Sequence, residues 1–161
     1  MLKTFPLGGI HPPENKLTAN MVIGYLPIPE NVTIPVSQHI GAPATTIVNK
    51  GDYVKTGQVI ASIKGFVSSN IHSSVSGKVN KVDTIIDTTG YKQEAVLIDV
   101  EGDEWIETID RSSEIVTEIK LSSEKIIKRC LESGIVGLGG ATFPSHVKLT
   151  VPAGKKIDLI I

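Results

Sequence analysis

Residues 49–61 read Asn49-Lys-Gly-Asp-Tyr-Val-Lys-Thr-Gly-Gln-Val-Ile-Ala61, and in this stretch glycine turns separate short runs of β-branched and aromatic residues. Gly51 and Gly57 stand at the two turns, and the runs at residues 53–54 and 58–63 have the length of short strands. Short strands bounded by turn residues are typical of a small antiparallel β barrel or sandwich. The stretch therefore predicts a mainly β fold.

The same pattern of short β-branched runs separated by glycine turns extends over residues 31–108, which we assign to one β domain. Further strands are predicted at residues 32–36, 45–48, 77–82 and 94–100. Asp87-Thr-Thr-Gly90 is predicted to close the hairpin between the last two, because glycine supplies a turn conformation with positive φ.

Composition and charge narrow the functional classes. The chain has 161 residues, of which 40% are hydrophobic, and its 16 basic and 17 acidic residues give a net charge of −1. It has no run of basic residues, which is the feature that indicates a nucleic-acid-binding protein. No apolar run approaches the roughly 20 residues of a membrane span, and the N-terminus has no signal-peptide pattern. A cytoplasmic protein is predicted.

The two ends of the chain differ from the β domain in composition and in predicted secondary structure. Residues 1–30 are rich in proline and predict an extended segment, which we expect to lie against both the β domain and the C-terminal part. Residues 109–161 form an α+β part. Ser122 is predicted to cap a helix that carries Glu124 in its first turn and ends at Gly134. Its apolar face consists of Ile126, Ile127, Cys130 and Leu131.

A glycine-rich loop follows this helix, in the sequence Gly137-Leu-Gly-Gly-Ala-Thr-Phe-Pro-Ser-His-Val-Lys148. Gly137, Gly139 and Gly140 remove side chains where a backbone turns sharply and exposes its N–H groups, which is how a loop holds an anion. Lys148 adds a positive charge, and Pro144 is predicted to open a short helix with free N-terminal amides. The loop predicts a phosphate site; the alternative is a tight connection between two helices.

The cysteine and the histidines favour structural roles. Cys130 lies on the apolar helix face, which predicts a buried thiol rather than a nucleophile. His11, His39, His72 and His146 are isolated in sequence, a spacing that does not favour a metal site. His146 stands beside the loop.

Two stretches of the β domain resemble lipoyl and biotinyl carrier domains. Asn49–Ala61 and Ile71-His-Ser-Ser-Val-Ser-Gly-Lys-Val79 are similar to the signatures that flank the carrier hairpin. The resemblance implies a barrel-sandwich hybrid. Aligned on residues 75–77, Phe66 occupies the position of the modified lysine, and the nearest lysine is Lys64. We therefore predict a carrier fold without a carried group.

Two motifs together resemble the RnfC family of Rnf electron transport complexes. Thr4-Phe-Pro-Leu-Gly-Gly-Ile-His-Pro-Pro-Glu-Asn-Lys16 is similar to the opening of RnfC proteins, in which a barrel-sandwich hybrid domain follows. The glycine-rich loop is similar to the flavin and NADH loop that the RnfC family shares with the flavin-bearing subunit of respiratory complex I. Leu138 replaces an arginine of the complex I loop, and Thr142 replaces a glycine.

The resemblance implies a role in electron entry. Residues 109–161 would begin a nucleotide-binding domain like that of the complex I flavin subunit. By the resemblance, the loop binds FMN and NADH. The residues carried over are Gly137, Gly139, Gly140, Ala141 and Lys148. Two [4Fe–4S] clusters would be bound further along, and a fragment alone would be inactive. The partners would be the other subunits of an ion-translocating complex, at the cytoplasmic face of the bacterial inner membrane.

Lys156-Ile-Asp-Leu-Ile-Ile161 predicts the start of a buried strand, so we expect the chain to be the N-terminal part of a longer protein. Two other functions stay open from sequence: a lipoyl or biotinyl carrier modified at Lys64, and a docking module without enzymatic activity.

Overall fold

The computed structural model describes residue 9 and residues 13–157. Within these residues, seven strands and two helices follow one another: β1 (Asn31–Pro35), β2 (Thr45–Thr46), β3 (Tyr53–Val54), β4 (Val59–Ser62), β5 (Ile71–His72), β6 (Gly77–Ile86), β7 (Lys92–Val100), α1 (Ser123–Glu132) and α2 (Ser145–Leu149). The mainly β prediction is confirmed. No helix in this part of the chain is long and apolar enough to cross a membrane.

The strands form two antiparallel sheets. One has four strands in the order β1-β7-β6-β3, and the other has three in the order β2-β4-β5. The longest pair, β6 and β7, is joined by a turn in which the Asp87 N–H donates to the Tyr91 carbonyl at 2.9 Å. Gly90 lies there at a φ of 86°. The turn is the one predicted from sequence, and the glycine has the predicted positive φ.

The core lies between the two sheets and is almost entirely aliphatic. Alternate strand residues point inward because successive side chains of a strand face opposite sides. Ile60 of one sheet and Ile98 of the other are both fully buried. The core cluster consists of Ile34, Val36, Ala44, Val48, Val54, Ile60, Ala61, Ile71, Val79, Val96 and Ile98.

The two stretches that resemble carrier signatures are bound to each other through their backbones. Val79 accepts from the N–H of Gly51 and donates to the carbonyl of Asp52, both at 2.8 Å. The N–H of Gly57 donates to the carbonyl of Ser73, also at 2.8 Å. Gly51 and Gly57 have φ values of 95° and 84°, so both turns require a residue that tolerates positive φ.

Residues 101–109 close one end of the barrel. The Thr56 N–H donates to the Glu104 carbonyl at 2.8 Å, and the Ile106 N–H donates to the Thr56 carbonyl at 3.1 Å. The carboxylate of Asp103 accepts from the Trp105 indole at 2.8 Å.

Residues 13–30 are exposed throughout, so the expectation that they lie against the rest of the chain is wrong for this part. The segment is bonded to the barrel at its last residue, where the Val100 N–H of β7 donates to the Glu30 carbonyl. The barrel strands bury their apolar residues against one another and leave this segment outside. The motif at residues 4–16 lies largely outside the described residues. So do residues 158–161, while Ile157 is half-exposed and belongs to no strand.

Gly77 is expected to be indispensable for the pairing of β6 and β7. It has a φ of 152°, and a Cβ at this position would lie 2.1 Å from the backbone oxygen of Asp99. Gly77→Ala should therefore destabilise the fold by more than Gly90→Ala, for which a cost of about 1–2 kcal/mol follows from positive φ alone. Urea denaturation of both variants measures the difference; equal stabilities would contradict the close approach.

Candidate nucleotide site at the glycine-rich loop

Helix α1 leads into the loop and has a capping structure at each end. The Ser122 side chain accepts from the N–H of Lys125, as predicted for an N-cap. At the other end the N–H of Gly134 donates to the Leu131 carbonyl, and the N–H of Ile135 donates to the Cys130 carbonyl. This pair of bonds is a Schellman motif, and Gly134 has the positive φ, 66°, that the motif requires.

The glycine-rich loop is closed by a short antiparallel bridge between Val136 and Pro144. The N–H of Gly137 donates to the Phe143 carbonyl at 2.9 Å, and the N–H of Ser145 donates to the Ile135 carbonyl at 2.9 Å. The loop is therefore a small hairpin whose two ends are bonded together.

The tip of this hairpin is open. A Cβ added at Gly139 or Gly140 would meet no atom within 4 Å. Leu138 is 99% exposed, and Ala141 is exposed too. A ligand phosphate therefore has room to approach the tip backbone closely.

The strained residue of the loop is Thr142 rather than a glycine. Gly137, Gly139 and Gly140 do not have positive φ, whereas Thr142 has a φ of 42° and donates its N–H to the Gly139 carbonyl. Gly139 and Gly140 lie in the bend of the loop, as expected, but the positive φ of the loop belongs to Thr142. Its backbone keeps a conformation that glycine adopts more easily than threonine.

Lys148 is brought to the start of the loop by α2. Its Nζ atom lies 3.6 Å from the position of a Cβ on Gly137 and 5.8 Å from the centroid of the Phe143 ring. Of the five predicted site residues, Lys148 and Gly137 are therefore neighbours, while the other three form the open tip.

The N-terminus of α2 offers fewer free amides than predicted. The helix has five residues, and its N-cap, Pro144, makes no side-chain hydrogen bond to it. The first N–H, from Ser145, is already bonded to Ile135. The anion site therefore depends on the loop backbone and Lys148.

His146 fixes α2 to the barrel. It is 5% exposed, and its Nε2 atom lies 3.2 Å from the Phe66 carbonyl, to which it donates. Nδ1 is buried and has no hydrogen-bond partner among the described residues. Sequence placed His146 beside the loop but did not predict this contact.

His72 fixes the end of α1 in the same way. Its Nε2 atom donates to the Glu132 carbonyl at 3.1 Å, and the Asn70 side chain reaches the same oxygen at 3.5 Å. A Cβ on Gly134 would lie 2.5 Å from the Asn70 backbone oxygen, so helix and barrel are in close contact here. Burial lowers the pKa of His72, and the bond to Glu132 offsets part of that shift.

These contacts occupy the end of the barrel that carries the modified lysine in carrier domains. The carbonyl of Phe66 is bonded to His146, and the following Ser68 and Ser69 are fully buried. His39 accepts from the Ser69 N–H at 3.0 Å and is itself buried. The backbone of this tip is therefore held against the rest of the chain, while Lys64 and Phe66 themselves are exposed.

The sequence favours structural roles for the cysteine and the histidines, of which His11 lies outside the described residues. Cys130 is a free thiol and only partly buried, so the prediction of a buried thiol is corrected to a partly covered one. No residue of α1 is fully buried, because its apolar face is incompletely covered. Among residues 9 and 13–157, no group of three or more His, Cys, Asp or Glu side chains is placed to hold a metal ion.

Comparison with known proteins places the chain in a family. Residues 3–103 match the RnfC barrel sandwich hybrid domain. The chain is 48% identical over 163 residues to the C subunit of the proton-translocating ferredoxin:NAD(+) oxidoreductase complex of Clostridium ljungdahlii, covering 100% of this chain and 35% of the relative. It is 46% identical over 156 residues to the C subunit of the Na(+)-translocating ferredoxin:NAD(+) oxidoreductase complex of Acetobacterium woodii, covering 96% and 34%.

A third relative is the C subunit of the ion-translocating oxidoreductase complex of Rhodobacter capsulatus, which is 39% identical over 163 residues, covering 98% of this chain and 30% of the relative. The chain thus spans about a third of the length of these relatives. The barrel-sandwich hybrid prediction is confirmed.

Acid is expected to weaken the attachment of α1. Because the pKa of folded His72 is below its ordinary value of 6.5, the unfolded chain binds the proton more readily. The His72 contribution to stability is therefore complete above the ordinary pKa and is lost as the pH falls through the folded value. Urea midpoints measured from about pH 7.5 down to about pH 5 should fall.

His72→Gln is the matched control, because glutamine keeps an N–H donor for the Glu132 carbonyl and does not titrate in this range. The variant should lose part of the pH dependence. An identical pH profile in both proteins would show that His72 is not its source.

Proposed function

This chain belongs to the RnfC family, and we propose that it is the N-terminal part of the electron-entry subunit of an Rnf-type complex. Its glycine-rich loop would contribute to the binding of NADH and FMN. The relatives are named as subunits of ferredoxin:NAD(+) oxidoreductase complexes that translocate protons or Na(+). By this proposal the chain's partners are the other subunits of such a membrane complex, and it works at the cytoplasmic face.

The proposal rests mainly on one observation: the Lys148 ammonium lies beside the start of the open glycine-rich loop. Nζ lies beside Gly137, and Gly139 and Gly140 have free space where a side chain would stand. Backbone N–H groups together with a lysine ammonium are the groups that bind phosphate in many nucleotide sites. These residues fit the phosphate of a flavin mononucleotide or of a dinucleotide.

Bound FMN would accept a hydride from NADH and release electrons singly, or run the reverse reaction. The residues of this chain would do the binding and orienting: the loop backbone and Lys148 would neutralise the phosphate. His72 and His146 would keep the loop in place against the barrel. By this proposal the [4Fe–4S] clusters and the rest of the flavin site belong to sequence that the longer relatives have beyond this match.

FMN titration tests the proposal. A chain lengthened to the full extent of its relatives should quench FMN fluorescence saturably. The 161-residue chain should bind more weakly, because an incompletely fixed loop must be ordered on binding. Lys148→Ala should weaken FMN binding by about 1–3 kcal/mol, the value of a charge-assisted hydrogen bond.

Lys78→Ala is the matched control, since Lys78 is exposed on β6 and pairs across to β3. It should bind FMN like the unchanged chain. Equal affinities of Lys148→Ala and the unchanged chain would remove Lys148 from the site. No saturable quenching by the lengthened chain would instead favour the docking module, a function that the exposed apolar residues of the segment 13–30 also fit.

A further inference from the structure

A second feature of the loop is the groove that its tip shares with the barrel. Gly140, Ala141 and Thr142 form one wall. The opposite wall comes from β1, the residues after it, and the end of the β6–β7 hairpin, including Ile86 and Thr88. The groove has a volume of about 800 Å³. Ligand pockets range over roughly 300–1,000 Å³, so it is large enough for part of a nucleotide.

The charges of the groove differ from those of the phosphate site. None of the described residues that line it is a lysine or an arginine, and its one carboxylate is Asp87. That carboxylate is held by the Thr89 hydroxyl at 2.7 Å and the Gln93 side chain at 2.8 Å. Such a surface disfavours a phosphate and favours an uncharged group that carries hydrogen-bonding atoms.

The wall of the barrel offers both kinds of contact that a nucleoside needs. Ile86 is 69% exposed and Ile40 is 51% exposed, and both present apolar surface to the groove. Ser37 and Thr88 supply hydroxyl groups. Asp87 adds a carboxylate that accepts hydrogen bonds.

We propose that this groove binds the base of a nucleotide whose phosphate lies on the glycine-rich loop. The barrel is then a wall of the nucleotide site rather than a spacer. The inference rests on the proposed function, since it takes the phosphate position from the loop and Lys148. The adenosine half of NADH, its nicotinamide half and FMN all carry a ring system joined to a phosphorylated sugar chain, so these ligands must be compared.

Amide chemical shifts of the 161-residue chain test the proposal with four ligands: AMP, nicotinamide mononucleotide, FMN and ribose 5-phosphate. All carry a phosphate, and the last lacks a base. At least one nucleotide should shift amides in the loop and also in residues 86–89. Ribose 5-phosphate should shift those of the loop alone.

Thr88→Trp should close the groove, because Thr88 is exposed, lines it, and makes no side-chain hydrogen bond in the described part of the chain. We expect nucleotide affinity to fall at least about fivefold, as for one lost stacked base, while ribose 5-phosphate binds as before. Thr84→Trp is the matched control on the same hairpin. Thr84 is exposed and outside the groove, so affinity should not change.

Ile86→Ala provides a second variant, which shortens the apolar wall without filling the groove, and it should weaken nucleotide binding as well. Nucleotides that shift the loop but leave residues 86–89 unchanged, or that bind Thr88→Trp normally, would overturn the groove and leave the proposed function standing. If neither ribose 5-phosphate nor any nucleotide shifts the loop, both the proposed function and the groove fail.

Discussion

The structure depends on the backbone bonds that tie residues 49–58 to residues 73–79. These bonds close one glycine turn onto β6 and the other onto Ser73, just after β5, and in doing so they bring Ile60 and Val79 to the same core. The closest approach is at Gly77, where β6 passes β7 with no space for a side chain. Strand pairing and core packing therefore depend on the same turns, and a change in either turn would disturb both.

The barrel supports the loop through a few polar contacts at one end. His72 and His146 donate to main-chain carbonyls, and each contact joins residues far apart in sequence. Since no residue of α1 is fully buried, apolar packing alone does not hold the helix there. The position of the glycine-rich loop, and with it the width of the groove, is set by directional bonds to backbone atoms that have few alternative partners.

Local features of the fold could be predicted from the sequence because their causes are local. The Asp87–Gly90 turn and the Ser122 cap are examples, since a glycine with positive φ and a serine hydroxyl act within a few residues. The histidine contacts could not be predicted, because they join residues 60 and 80 positions apart. The resemblance to carrier domains draws attention to Phe66, but only the folded chain shows that the Phe66 carbonyl accepts a hydrogen bond from His146. The positive φ of Thr142 could not be predicted either, because it depends on how the loop closes.

The exposed segment 13–30 also determines how far the protein can reach. Its 18 residues are attached to the barrel through the bond at Glu30, and an extended chain covers at most about 3.3–3.6 Å per residue. The far end of the segment can therefore lie up to roughly 60 Å from its anchor. Turns at residues 15–21, closed by main-chain hydrogen bonds, shorten that reach, and the segment carries its exposed apolar side chains outside the barrel core.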